Sequence, residues 1–241
     1  MSRVYLITGA SSDVGISLLR RIAKEQEEKA VFICQYYSDA SRLLELGREY
    51  SNIDMITVRA DLSVGSDVLS VLEKVREYTD APDYMIHLPA VRFRYMRIKE
   101  LDMDVLHKNM EVQAYSFMKI LGPFLPLMKK KQSRIVVMLS SYVVDDMPPQ
   151  FMIDYIVPKY ALLGAMKAVA AEYGGKLLMC NAVSPVMMDT KFLSEIDPRI
   201  KEMSAAAAGG SLLSPEAVAP VIMEMLSDSC SVNGTNRLIE Q

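Results

Sequence analysis

The stretch Arg3-Val4-Tyr5-Leu6-Ile7-Thr8-Gly9-Ala10-Ser11-Ser12-Asp13-Val14-Gly15 decides the fold. Val4 to Thr8 is a short apolar run of the kind buried on both faces of a sheet. From Val14 to about Glu28 the spacing becomes helical. Between the two, small residues let the backbone turn sharply. The start of the following helix then presents free N–H groups and a partial positive charge, which suits a pyrophosphate. Gly9, Ser11, Ser12, Asp13, Val14 and Gly15 are therefore the first candidate ligand contacts. The competing reading is a tight strand-to-helix turn with no ligand. Its position between a first strand and a first helix favours the phosphate loop.

Working outward, the same alternation repeats. Strands are predicted at Ala30–Tyr36, Ile53–Arg59, Tyr84–Leu88, Ile135–Leu139 and Leu177–Val183, with a last edge strand at Arg237–Ile239. Helices are predicted over Ala40–Tyr50, Val68–Tyr78, Met103–Lys131, Asp154–Tyr173 and Pro215–Leu226. Pro123 and Pro126 should kink the fourth helix. Gly174-Gly175 should end the helix that begins at Asp154. Ser214 should cap the last helix, with Pro215 in its first turn. Strand-helix alternation requires crossover connections, hence a parallel sheet covered on both faces. The expectation is one doubly wound, Rossmann-like α/β domain over residues 1–241. Ligands bind outside the carboxyl ends of such strands. The loop at 187–213 follows the sixth strand and is read as a lid.

Composition removes several classes. At 241 residues with 51% hydrophobic and 24% charged side chains, the chain is an ordinary globular one. A net charge of −3 offers no global attraction to nucleic acid. No apolar run is long enough for a membrane helix, and the N-terminus lacks a signal-peptide layout. Cys34, Cys180 and Cys230 are far apart and odd in number, which reads as free thiols in a reducing cytoplasm. With only His87 and His107, no His-rich metal centre is expected.

Tyr155-Ile156-Val157-Pro158-Lys159 carries the sharpest chemical signal. Tyr155 and Lys159, four apart, share a helix face. A neighbouring ammonium lowers a phenol's pKa, which would make Tyr155 a proton donor or acceptor near neutral pH. Ser140-Ser141 ends the fifth strand and can bring a hydroxyl to the same place. Asp61, just after the third strand, is either a contact to an adenine amino group or a helix cap. His87 ends a strand, where local packing is favoured over a role as base. Lys129-Lys130-Lys131 with Arg134, and Arg92, Arg94, Arg97 and Lys99, form two basic clusters. Each is either a solvated face or a docking site for an acidic carrier.

These motifs together make the chain resemble the short-chain dehydrogenase/reductase family of the single-domain type, and within it the β-ketoacyl-carrier-protein reductases. The resemblance runs from the Gly9 loop through Asp61-Leu62, Ser141, Tyr155 with Lys159, Asn181-Ala182-Val183-Ser184-Pro185, Asp189-Thr190 and Ser214-Pro215-Glu216 to Gly234. It implies that Tyr155 is the general acid for carbonyl reduction, that Lys159 holds the nicotinamide ribose and lowers the tyrosine pKa, and that a serine, Ser141 in preference to Ser140 on the family's serine-to-tyrosine spacing, bonds the carbonyl oxygen. It places Gln113 where the family has a catalytic asparagine. Beyond the glycine loop, the implied cofactor contacts are Tyr37, Ser38, Asp61, Leu62, Leu88, Pro89, Tyr155, Lys159, Pro185, Met188 and Thr190. The chain departs from the family pattern in having Asp13 for a loop glycine, His87-Leu88-Pro89-Ala90 after the fourth strand, and Val186 after Pro185.

The expected activity is NADPH-dependent reduction of a ketone to a secondary alcohol, with a β-ketoacyl thioester as substrate. NADP(H) is expected over NAD(H), because Tyr36-Tyr37 stands where an NAD site has a carboxylate, with Ser38 and Arg42 able to meet a 2′-phosphate. The expected partners are a carbonyl substrate, possibly carried on an acyl carrier protein, and a second or fourth copy of the chain. The dimer would form through the helix carrying Ala161, Gly164, Ala165 and Ala168. The alternatives are an alcohol or polyol dehydrogenase, and an inactive dinucleotide-binding sensor or scaffold.

Overall fold

The computed structural model describes residues 2–92, 94–144, 147–174, 178–194, 196–207 and 209–240. The predicted strands form one sheet: β1 (Arg3–Thr8), β2 (Ala30–Tyr36), β3 (Ile53–Arg59), β4 (Tyr84–His87), β5 (Arg134–Met138), β6 (Met179–Pro185) and β7 (Asn236–Ile239). The spatial order is β3-β2-β1-β4-β5-β6-β7, and every pairing is parallel. In register, Leu6 sits between Ile33 of β2 and Met85 of β4. The order reverses between β1 and β4. The crevice outside their carboxyl ends is where a doubly wound sheet holds its ligand. Leu177, expected to start the sixth strand, and Gly175 lie outside the described residues.

The helices are α1 (Asp13–Glu25), α2 (Ser41–Glu49), α3 (Gly65–Arg76), α4 (Met103–Met110), α5 (Ser116–Leu121), α6 (Leu125–Lys130), α7 (Ile153–Tyr173), α8 (Pro198–Ala207) and α9 (Pro215–Leu226). One buried cluster packs α3, α5 and α7 on one face of the sheet, including Val71, Phe117, Leu162 and Met166. A second packs α1, α2 and α9 on the other, including Leu18, Leu43 and Ile222. Strands buried on both faces explain their unbroken apolar runs.

The long helical region predicted over Met103–Lys131 is composite. The expected disturbance at Pro123 is a 3₁₀ turn over Gly122–Phe124, after which α6 resumes. A π-helical segment over Glu111–Tyr115, which the residue pattern did not indicate, lies between α4 and α5. Ser214 precedes α9 as expected, but its side chain makes no capping hydrogen bond. Pro215 alone sets the first turn there. The 187–213 segment holds a short turn at Lys191–Leu193 and the helix α8. Its two ends are stapled by Leu213 N–H to the Met187 carbonyl (3.2 Å) and Asp189 N–H to the Leu213 carbonyl (2.9 Å).

Candidate active site

The turn after β1 is built for close approach. Gly9 has φ +67°, and a Cβ there would lie 3.0 Å from the Pro89 nitrogen, so only glycine lets β1 run this close to the chain leaving β4. A Cβ on Gly15 would fall 2.3 Å from the Ala10 carbonyl oxygen. Ser12 caps α1, accepting the Gly15 N–H at 3.1 Å. Gln35, buried in β2, fixes the turn from below. Its side-chain oxygen accepts the Gly9 N–H (2.8 Å), and its amide group donates to the Ala60 carbonyl (2.7 Å). A glutamine in an otherwise apolar strand is the sequence signal of such a clamp.

Around this turn, Leu62, Leu88, Pro89 and Pro185 are buried, whereas Tyr37 and Ser38 are exposed beyond β2. Met188 and Thr190 are partly exposed at the start of the 187–213 segment. One Asp61 carboxylate oxygen accepts from the Ser63 N–H (2.9 Å) and hydroxyl (2.7 Å), a turn ahead of α3; it does not cap that helix, whose N-cap is Val64 and has no side-chain capping bond. Burial raises the Asp61 pKa, but those two bonds and the Lys108 charge outweigh it and leave the carboxyl below its usual range.

Tyr155 and Lys159 lie in the first half of α7, and Ser140 lies two residues past the end of β5. The Ser140 side chain lies beside the Tyr155 hydroxyl, near enough for hydrogen bonding there to lower the phenol's pKa. Ser140, not the preferred Ser141, is thus the serine brought to the tyrosine. The reason is local: Ser140 is the extended residue that caps the 3₁₀ turn over Ser141–Val143, and Ser141 has already turned away into it. Lys159 is fully buried, its Nζ 5.8 Å from the centre of the Tyr155 ring and donating to the Met138 carbonyl at 3.1 Å.

Electrostatics here differ from the expectation. Burial pushes the Tyr155 phenol up to about 12, with the Ser140 hydrogen bond opposing it. Burial also pulls the Lys159 ammonium down to about 7. The expected lowering of the tyrosine by the lysine is not what the ligand-free geometry gives. Both groups are desolvated, and each is driven toward its neutral form.

His87 packs locally, as favoured. Its Nε2–H donates to the Gln113 carbonyl (2.8 Å), which leaves Nδ1 to accept from the Thr8 hydroxyl (2.7 Å). Burial, aided by the Lys159 charge and opposed by the Gln113 bond, lowers it to about 3, so it stays neutral. Gln113 itself sits in the π-helical segment. Its side chain is fully buried, and neither amide atom meets a hydrogen-bond partner among the described residues. A buried, unsatisfied amide is costly and marks a place for water or a polar ligand group.

α7 contains Pro158, which removes the N–H that would bond the Asp154 carbonyl. Asn109 of α4, buried, supplies the missing donor at 3.0 Å. This bond anchors the backbone beside Tyr155 to α4. Phe192 lies over Tyr155, ring centres 6.4 Å apart. Met152 and Ile156 pack with Tyr155 and also floor an apolar groove of about 520 Å³, walled by Met96, Ile98, Pro149 and Phe151. Of the apolar residues in the 187–213 segment, Phe192 faces the tyrosine. Leu193 and Leu213 are buried in the core, and Met203 points to solvent.

A family model described as enoyl-(acyl carrier protein) reductase matches residues 9–240. The chain belongs to the short-chain dehydrogenase/reductase family. Among similar family members, a 3-oxoacyl-[acyl-carrier-protein] reductase of Staphylococcus epidermidis is 22% identical over 205 residues, covering 84% of this chain and 82% of that one. A D-beta-hydroxybutyrate dehydrogenase of Rhizobium meliloti is 23% identical over 189 residues, covering 77% and 71%. A crystal structure of a 3-ketoacyl-(acyl-carrier-protein) reductase from Brucella melitensis complexed with NADH superposes with TM-score 0.84 at 20% identity, over 99% of this chain and 96% of that one. Levodione reductase superposes equally well, at 22% identity and the same coverage. This short-chain dehydrogenase/reductase is accordingly an oxidoreductase, and its family uses a nicotinamide dinucleotide. The glycine turn that no Cβ could enter and the orphaned Gln113 amide fit such a ligand.

The two basic clusters part company. Lys129 to Lys131 precede β5 and lie at the amino ends of the strands, where Lys131 pairs with Asp83 at 3.1 Å. The tyrosine is at the opposite, carboxyl end. The Lys129–Arg134 cluster is thereby removed from the rim of the site; Arg92, Arg94, Arg97 and Lys99 follow β4 and remain on the same side.

Among the described residues, no helix is long and apolar enough to cross a membrane. Cys34, Cys180 and Cys230 are unpaired thiols.

Proposed function

We propose that the protein reduces a ketone to a secondary alcohol, that NADPH is its cofactor, and that the ketone is a β-ketoacyl thioester. The observation that carries the reduction is the buried Tyr155 with the buried Lys159 Nζ 5.8 Å from its ring and the Ser140 side chain beside its hydroxyl. When bound, the cofactor supplies a hydride to the carbonyl carbon. Tyr155 gives its proton to the carbonyl oxygen, and the Ser140 hydroxyl donates a hydrogen bond to that oxygen. Lys159, when charged, faces the ring and favours the phenolate that remains. Gln113 holds a water from which the proton returns.

The NADP assignment is supported at the end of β2. Tyr37 is exposed there, and Asp39 has turned its carboxylate to the Ser41 N–H (2.9 Å) and hydroxyl (2.6 Å). A ribose 2′-hydroxyl would find no carboxylate at the strand end. The acyl assignment is supported by Phe192 on Tyr155 and by the groove beside it, whose volume suits a ligand and whose lining is apolar. A polyol would need several paired polar groups there. The 187–213 segment is the lid, and the Arg92–Lys99 stretch steers an acidic carrier protein to the mouth. Three unpaired thiols agree with a reducing cytoplasm.

NADPH consumption with acetoacetyl thioesters, free β-ketoesters and polyols tests this reading. Turnover of the thioesters is expected. Turnover confined to polyols contradicts the acyl substrate, and dinucleotide binding without turnover of any carbonyl contradicts the enzyme.

A further inference from the structure

Asp13 opens α1 in the loop that turns N–H groups outward, so an anion approaching that loop meets a carboxylate already in place. The carboxylate has two partners from distant parts of the chain. Arg42, in the first turn of α2, donates to Oδ1 at 2.6 Å. The backbone N–H of Lys191 donates to Oδ2 at 2.8 Å. Lys191 begins the short turn that carries Phe192, the ring lying over Tyr155. One carboxylate therefore joins the glycine loop, the cation just beyond β2 and the start of the segment covering the tyrosine. The Asp13 side chain is 16% exposed and that of Arg42 37%, so the pair is shielded from water on one side only.

We propose that Asp13 is both a latch for the 187–213 segment and a determinant of cofactor choice. The inference rests on the dinucleotide reading of the site and goes beyond it. Asp13 holds the segment through the Lys191 amide and holds Arg42 in reserve. A dinucleotide without an extra phosphate leaves both bonds in place. One with a phosphate on the adenosine ribose competes for the guanidinium, and the planar fork of Arg42 suits that phosphate. Two anions then crowd one cation, the carboxylate is repelled, and the start of the segment over Tyr155 is loosened when the phosphate arrives.

Two variants separate the two roles. Asp13→Ala removes the carboxylate outright. Asp13→Asn removes the charge, keeps an acceptor for the Lys191 N–H, and is close enough in shape to carry the test if the alanine variant folds poorly. Amide hydrogen exchange of the 190–194 peptide is measured without cofactor, and NADPH and NADH are titrated by fluorescence. Exchange at Lys191 should rise about tenfold or more in Asp13→Ala and stay near wild type in Asp13→Asn. Both variants should bind NADPH about two- to fivefold more tightly, with NADH moving less. Unchanged Lys191 exchange in Asp13→Ala overturns the latch, and equal changes for the two cofactors overturn the role in cofactor choice. Neither readout uses a carbonyl compound, so failure of the reductase assay is a separate result.

Discussion

Asn109 donates a side-chain hydrogen bond to the Asp154 carbonyl, 45 residues away, at 3.0 Å. That carbonyl is the one α7 leaves without its helical partner, because residue 158 is proline. A defect in one helix is thus repaired from another, immediately before the tyrosine.

Replacing Asn109 with alanine should leave a buried acceptor unsatisfied and cost about 1–3 kcal/mol in denaturant unfolding. In a Pro158→Ala background the helix regains its own donor. The Asn109→Ala penalty should then shrink by at least half. An equal penalty in both backgrounds would mean that Asn109 acts in some other way.

The serine assignment is tested by single substitutions. Ser140→Ala should lower kcat for ketone reduction about 10²-fold, as loss of a donor to a developing oxyanion does. Ser141→Ala should stay within a few-fold of wild type. The reverse ranking would restore Ser141, the serine that the family resemblance favours.

Burial of Lys159 sets a pH dependence of stability. Its folded pKa of about 7 lies below the unfolded value of 10.5. The unfolded chain therefore binds more protons between those values, and stability rises with pH across that window. The cost of burying the lysine is fully present below pH 7 and relieved toward pH 10.5. Lys159→Met should stabilise the ligand-free protein by roughly 1–4 kcal/mol at pH 6, with the gain fading by pH 10. A gain that does not vary with pH would show that the lysine is already solvated.

Of the face expected to pair, Gly164 and Ala168 are exposed on α7 beside Val157 and Tyr160, whereas Ala161 and Ala165 pack, with Leu162 and Met166, against the protein's own core. A Cβ at Gly164 would meet nothing within 4 Å, so another helix can approach closely there. Light scattering at micromolar concentration should give a dimer or tetramer. Gly164→Leu should shift the mass toward monomer.

The strand-helix order was legible because doubly covered strands must be apolar throughout and helices must carry one stripe, so β2 and β3 begin and end where the residues indicate. The tyrosine-lysine pair was legible for the same reason, four residues being one helix face. The π-helical segment at Glu111–Tyr115 was not, since none of its residue types departs from an ordinary helix. The choice between Ser140 and Ser141 turns on which of two adjacent residues starts the 3₁₀ turn, a matter of backbone rotation. The Tyr155 pKa followed burial of the whole pair, which spacing along a helix does not reveal. The partners of Asp13 come from residues 42 and 191, contacts that only the folded chain creates.

The central claim is that Tyr155 delivers the proton. The direct measurement is NADPH oxidation with an acetoacetyl thioester by the wild type and by Tyr155→Phe, with NADPH affinity titrated alongside. An activity loss of about 10²–10⁴-fold is expected, with cofactor affinity little changed. A variant that keeps a tenth or more of wild-type turnover would contradict it.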